Sequence, residues 1–120
     1  MLSTLIAISS EIYGHLDRSV VPIAEDAALS PFSPYAVSKL SQDFLGYQYF
    51  LAYGIDIVRL RAFNHSGPGR PTAFADSRLA KIVATIERGK HEPLVTYRDL
   101  SGVRDYTDVR DMVAGYVKAA

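Results

Sequence analysis

Leu5-Ile6-Ala7-Ile8 is an unbroken apolar run, the pattern of a strand covered on both faces as in a parallel sheet, and it ends in the polar Ser9-Ser10-Glu11. With Met1 and Leu2 the opening reads as one buried strand. From Tyr13 to Pro34 there is no sustained period, and Gly14, Pro22, Pro31 and Pro34 mark a long loop. Ser33 as N-cap and Pro34 at the first position then open a helix that Gly54 closes. Its Val37, Leu40, Phe44, Tyr47 and Leu51 form a stripe at helical spacing, predicted to face a sheet. Ala36, Tyr49, Phe50 and Tyr53 add apolar surface elsewhere, which implies a second cover such as another subunit. Ile55 to Leu60 predicts the next strand, Leu79, Ile82, Val83 and Ile86 a second helix closed by Gly89, and Pro93 to Tyr97 a third strand. Val109, Met112, Val113, Tyr116 and Val117 mark a last helix, with Asp108 as its cap and Asp111 in its first turn. Strands alternating with helices predict an α/β fold, a parallel sheet with helical crossovers.

Composition narrows the function classes. A hydrophobic fraction of 48% with 22% charged residues is that of a soluble globular protein, and 120 residues suffice for one modest core. Formal net charge is zero and the basic residues are scattered, so nothing resembles a nucleic-acid footprint. The opening apolar run has no basic flank and is too short to span a membrane. No cysteine is present, which removes disulfides and thiolate metal sites and permits a reducing compartment. His15, His65 and His91 are too dispersed for a metal motif.

The chemistry concentrates in four places. Tyr35 and Lys39 stand four apart at the start of the first helix, so a phenol and an ammonium share one face, their Cβ atoms roughly 5–6 Å apart. The cation favours the phenolate over the ordinary tyrosine pKa of about 10, which suits proton exchange with a carbonyl or an alcohol. On its own the pair is a weak signal, and a ring packed on a lysine stem is the commoner arrangement. Ser9, Ser10 and Glu11 lie at a strand's carboxyl end, the edge at which open α/β sheets bind ligands. Asn64-His65-Ser66-Gly67-Pro68-Gly69-Arg70 combines glycines that let backbone approach a ligand with donors at Asn64, His65 and Arg70; an ordinary tight turn fits as well. Arg104 precedes the last helix, where it could grip a phosphate or pair with Asp105.

Order and spacing of Ser9-Ser10-Glu11-Ile12-Tyr13-Gly14, Ser33-Pro34-Tyr35-Ala36-Val37-Ser38-Lys39, Phe63-Asn64-His65-Ser66-Gly67-Pro68-Gly69 and Val103-Arg104-Asp105-Tyr106-Thr107-Asp108-Val109-Arg110-Asp111 resemble the extended short-chain dehydrogenase/reductase family that acts on nucleotide sugars. The likeness covers nearly the whole chain. Within that family it is nearest to members that reduce the C4 keto group of GDP-4-keto-6-deoxy-D-mannose to GDP-D-rhamnose. The 4,6-dehydratases of GDP-mannose are neighbours, although Ser66-Gly67-Pro68-Gly69-Arg70 replaces their usual Glu-Ser-Pro-Arg-Arg. The resemblance implies a catalytic set of Ser9, Tyr35 and Lys39, with Glu11 at the position of the dehydratase base. Hydride would pass from the nicotinamide to the sugar carbonyl while Tyr35 gives its proton to the oxygen, Ser9 hydrogen-bonds that oxygen, and Lys39 binds the nicotinamide ribose. It further implies Tyr35, Lys39, His65 and Arg70 beside NADP, with NAD as the alternative, and Ser10, Asn64 and Arg104 on the GDP-linked nucleotide-sugar substrate. A cytoplasmic homodimer formed through the helix over 35–53 also follows from it, with no nucleic-acid or membrane partner.

The family's strand, glycine-rich turn and pyrophosphate-binding helix have no counterpart here. Residues 1–120 therefore read as a single incomplete Rossmann-type domain, a partial parallel sheet with flanking helices that lacks the amino-terminal βαβ units. Such a fragment is expected to bind NADP weakly or not at all alone, and an inactive remnant that keeps only its oligomerisation surface is the opposing reading.

Overall fold

The computed structural model describes residues 3–97, 99 and 101–120; the strand reading of Met1 and Leu2 lies outside the described residues. Strand β1 (Thr4–Ser9) pairs in parallel with β2 (Ile57–Ala62), in a register that runs from Thr4 opposite Ile57 to Ser9 opposite Ala62. Helix α1 (Pro34–Tyr53) connects them as a βαβ unit. Its boundaries are those the sequence predicts: the Ser33 hydroxyl accepts from the Ala36 amide at 3.0 Å, Pro34 occupies the first turn, and Gly54 stops the helix in the left-handed region at φ 66°.

Which face of α1 meets the sheet is a correction. Of the stripe expected to be buried, Val37, Phe44, Tyr47 and Leu51 are exposed, and only Leu40 packs against the core. Ala36, Asp43 and Gly46 are the buried positions. The reason lies in β2, where Arg59 and Arg61 stand two apart on one face and both bond Asp43. Gly46 lets the helix come close, since a Cβ there would meet Ile6 Cδ1 at 2.7 Å. Charge pairing and a small residue, rather than bulk apolar area, set this contact.

A short 3₁₀ turn, Ser10–Tyr13, continues β1, and a second spans Arg18–Val20 within the long loop. Ile8, Ile12 and Tyr13 form the buried core, flanked by Ile6, Leu16, Ile23, Ala27, Leu29 and Leu40. The two-sided cover expected for β1 is incomplete, because Thr4 and Ala7 remain exposed.

After β2 the chain forms β3 (Asn64–Ser66), α2 (Ala75–Glu87), β4 (Tyr106–Asp108) and α3 (Val109–Ala119). β3 and β4 pair in parallel, Asn64 opposite Tyr106. The strand expected over Pro93–Tyr97 does not form, and Leu94 is exposed. A strand exists only as one member of a ladder, and none of β1 to β4 pairs with this segment. Asp108 caps α3 as predicted, accepting from the Arg110 amide at 2.8 Å. The Arg110 side chain bonds the same carboxylate and holds it well below the ordinary carboxylate range.

Candidate active site

Two of the segments singled out in the sequence meet at the carboxyl end of β1 and the start of α1. Lys39 reaches across from α1 and donates from Nζ to the Ala7 carbonyl at 3.0 Å and to Gln42 Oε1 at 3.1 Å. The same ammonium lies 6.0 Å from the centroid of the Tyr35 ring. Tyr35 itself is 51% exposed, so the phenol is open to a ligand rather than sealed against the lysine stem. Ser9, two residues beyond Ala7, caps the 3₁₀ turn by accepting the Glu11 amide at 3.2 Å. Ser10 opens that turn. The Glu11 carboxylate then returns to α1, accepting from the Ser33 hydroxyl at 3.3 Å, beside the positive end of the helix.

A cavity of about 350 Å³ lies between the end of β2 and the face of α3, lined by Phe63, Thr107, Met112 and Tyr116 among others. Burial, with Tyr35 as a second cause, pushes the Tyr116 phenol above its ordinary value. Tyr35 of α1 is thus near enough to Tyr116 of α3, which lines this space, to act on it.

The turn after β2 is built differently from its expectation. His65 Nδ1 lies 3.1 Å from the Phe63 carbonyl, and the His65 carbonyl accepts from Arg70. Arg70 also faces Asp76 at 3.3 Å, stacks 4.1 Å from the Phe74 ring, and is part of a clasp that the Ser66 hydroxyl completes by donating to Asp76. Gly67 faces the Val109 side chain of α3, into which a Cβ would be driven, so its close approach serves packing between elements. Asn64 is exposed at the start of β3. Arg104 is exposed and donates to its neighbour's carbonyl, that of Val103, at 2.8 Å. Ser9, Ser10, Glu11, Tyr35 and Lys39 are therefore assembled, whereas the guanidiniums of Arg70 and Arg104 are occupied by local partners. Among the described residues no group of three or more His, Asp or Glu side chains could hold a metal ion.

Reading the sequence for chemistry missed the charged group beneath this site. Asp43, 1% exposed, accepts from Arg59 and from Arg61 Nε at 2.7 Å. Two signals pointed to it: Tyr35, Lys39 and Asp43 recur every fourth residue on one helix face, and Arg59 and Arg61 share a face of an otherwise apolar strand. Asp43, hydrogen-bonded to Arg61, holds that guanidinium protonated far above its ordinary range.

A family model described as GDP-mannose 4,6 dehydratase matches residues 3–120. The GDP-6-deoxy-D-mannose reductase of Pseudomonas aeruginosa is 33% identical over 116 residues, which are 96% of this chain and 38% of that protein. The structure of RMD from Pseudomonas aeruginosa complexed with NADPH superposes with a TM-score of 0.92 at 32% identity, over 95% of this chain and 38% of that one. The dTDP-glucose 4,6-dehydratase of Bacillus anthracis in complex with NAD does so at 0.75 and 28%, over 93% of this chain and 34% of the other. The chain thus spans well under half the length of these relatives. Its parallel strands and flanking helices are those of Rossmann-type enzymes. On the match across residues 3–120 and the shared fold, this chain belongs to the GDP-mannose 4,6-dehydratase family, within the wider nucleotide-sugar epimerase/dehydratase group.

Proposed function

We propose that residues 1–120 are the catalytic portion of an NAD(P)-dependent nucleotide-sugar oxidoreductase that reduces the C4 keto group of GDP-4-keto-6-deoxy-D-mannose to GDP-D-rhamnose. The observation that carries this reading is the placement of Tyr35 and Lys39 on one face of α1 beside the carboxyl end of β1, with the phenol half exposed. Likeness to a reductase of that substrate class and to an NADPH complex supports it.

The residues present fit a nicotinamide cofactor in part. Lys39 keeps donor capacity beyond its bonds to Ala7 and Gln42, since an ammonium has three N–H groups, and it stands next to an accessible phenol. When bound, the cofactor supplies the hydride. Tyr35 gives a proton to the sugar oxygen, and the Ser9 hydroxyl donates a hydrogen bond to that oxygen as charge develops. Lys39 orients the ribose; His65 borders the cofactor; Ser10 and Asn64 contact the sugar nucleotide, and Arg104 swings from Val103 to its pyrophosphate. Arg70 serves the cofactor side through the clasp it forms with Asp76 rather than through a free guanidinium.

Glu11 favours a second reading, dehydration of GDP-mannose, because a carboxylate at the end of β1 is available as a base and the matched family model carries that description. The exposed Phe44, Leu45, Tyr49, Phe50, Leu51 and Tyr53 support pairing of two copies through the helix over 35–53. Among the described residues no helix is long and apolar enough to cross a membrane, and the enzyme is proposed to work in the cytoplasm.

The test is NADPH oxidation with GDP-4-keto-6-deoxy-D-mannose, by this chain alone and with a supplied amino-terminal half of a reductase. Turnover on complementation, reduced at least 100-fold by Tyr35→Phe, supports the reductase. Dehydration of GDP-mannose by the same assembly, without reduction, selects the second reading, and silence in both with a folded complex selects the inactive remnant.

A further inference from the structure

The partly buried Arg61, its side chain 14% exposed, is bonded to three segments that are distant in the chain. Its Nε and one terminal nitrogen donate to Asp43 of α1 at 2.7 and 3.3 Å. The other terminal nitrogen donates to the Tyr13 hydroxyl at 3.0 Å and to the Glu25 carbonyl of the long loop at 2.6 Å. Its guanidinium also lies 5.4 Å from the centroid of the Tyr13 ring. Asp43 in turn receives Arg59, so both of its oxygens are occupied in a site that is 1% exposed. A buried carboxylate bonded on both oxygens is geometrically demanding, because Asp43 left without its arginines by a misfit would be an unsolvated charge.

The bonded ends are those that carry the candidate chemistry. Tyr13 closes the 3₁₀ turn whose cap and first residues are Ser9, Ser10 and Glu11. Asp43 lies one helical repeat beyond Lys39 and two beyond Tyr35 on α1. Among the described residues one further bond, from Ser33 to Glu11 at 3.3 Å, joins the turn to the start of the helix, and it is long for two oxygens. We propose that Arg61, held by Asp43, is a positioning residue that sets the Ser9–Glu11 turn against the Tyr35–Lys39 face of α1. Arginine suits this post because its rigid fork meets a carboxylate, a phenol and a carbonyl at once, and lysine has neither the plane nor the reach to do so. The inference deepens the proposed function and rests on it for its catalytic consequence, though not for its geometric one.

Two variants test it, Arg61→Lys, which keeps the charge beside Asp43, and Tyr13→Phe, which deletes one hydroxyl and leaves the ring packed. Amide hydrogen exchange of the chain is read first. Exchange at Glu11 and Gly14 in the turn, and at Ser30, whose amide donates to the Ile12 carbonyl at 2.9 Å, should rise roughly tenfold, while Gly54 and the body of α1 keep their rates. In the complemented enzyme, kcat should fall about 10–100-fold with KM within threefold, since a displacement near 1 Å suffices for such a loss. Unchanged exchange at the turn, a uniform rise across α1 and β2, or no protection at these amides in the unsubstituted chain overturns the proposal. So does a loss confined to KM. If the unsubstituted assembly turns over no nucleotide sugar while the exchange rises only at the turn, the proposed function falls and the positioning geometry stands.

Discussion

Residues 3–62 and residues 63–120 differ in what holds them. Every buried apolar side chain among the described residues, Ile8, Ile12, Tyr13 and Ala36, belongs to the first region, together with the buried Asp43. Neither α2 nor α3 has a buried residue. The second region is secured by local polar devices: the Asp108 cap with Arg110, and the clasp of Arg70, Asp76 and Ser66. Such devices contribute little individually when exposed, whereas a buried network is costly to disturb. The candidate chemistry follows the same division. Ser9, Glu11, Tyr35 and Lys39 stand on the region with a core, which can hold them to a fixed geometry, and Asn64, His65 and Arg104 stand on the region that has no buried apolar side chain among the described residues.

The contrast is broken most directly by truncating one residue in each region. Ile12→Ala should destabilise by about 2–5 kcal/mol, since the side chain is wholly buried, and Val113→Ala, 54% exposed, should change stability by no more than about 0.5 kcal/mol in urea unfolding. Comparable losses at both sites would mean that α3 is covered in solution by something that buries it.

Backbone strain gives a smaller effect of the same sign. Gly14 adopts φ 72° and ψ −149°, a conformation that is essentially glycine's alone, and a Cβ there would run into the Ser30 carbonyl. Gly14→Ala should therefore cost about 1–3 kcal/mol from conformation, with the steric conflict added, and should release the Ser30 amide in hydrogen exchange. Gly69 also has a positive φ, 89°, but open space around it, so an alanine there bears the conformational cost without the collision.

The smallest effect is a pH response confined to the second region. The Ser66 hydroxyl, with Arg70 contributing, holds the Asp76 carboxyl below its ordinary 3.8. Because the folded carboxyl is then harder to protonate than the unfolded one, its contribution is complete above that ordinary value and fades as pH falls through the lower folded one. Chemical shifts of α2 residues followed by NMR between pH 5 and 2 should move together with the Asp76 carboxyl, and Asp76→Asn should abolish that transition while leaving the Ile12 core unaffected. A transition that persists in Asp76→Asn assigns the response to another carboxylate.

Much of the fold is legible in the sequence. Ser33, Pro34 and Gly54 bounded α1 because capping and left-handed stops are local effects, satisfied by neighbours in the chain. Asp108 bounded α3 for the same reason. The spacing of Tyr35 and Lys39 put phenol and ammonium together, since a helix leaves side chains four apart no other choice.

What the chain alone could not decide were the matters that depend on partners far away in sequence. Periodicity found an apolar stripe on α1 but not its direction, because direction depends on what the sheet presents, and β2 presents Arg59 and Arg61 to Asp43. Pro93–Tyr97 has the composition of a strand, yet no strand of the fold pairs with it, whereas the three-residue Tyr106–Asp108 pairs with β3. The packing of Gly67 on Val109 and the clasp of Arg70 with Asp76 were likewise not legible, because those surfaces and charges are brought to them only by folding. Local sequence determined where helices start, where they stop and which residues share a face; the tertiary structure determined which face is buried, since burial is a property of pairs and one chain segment specifies only half of each pair.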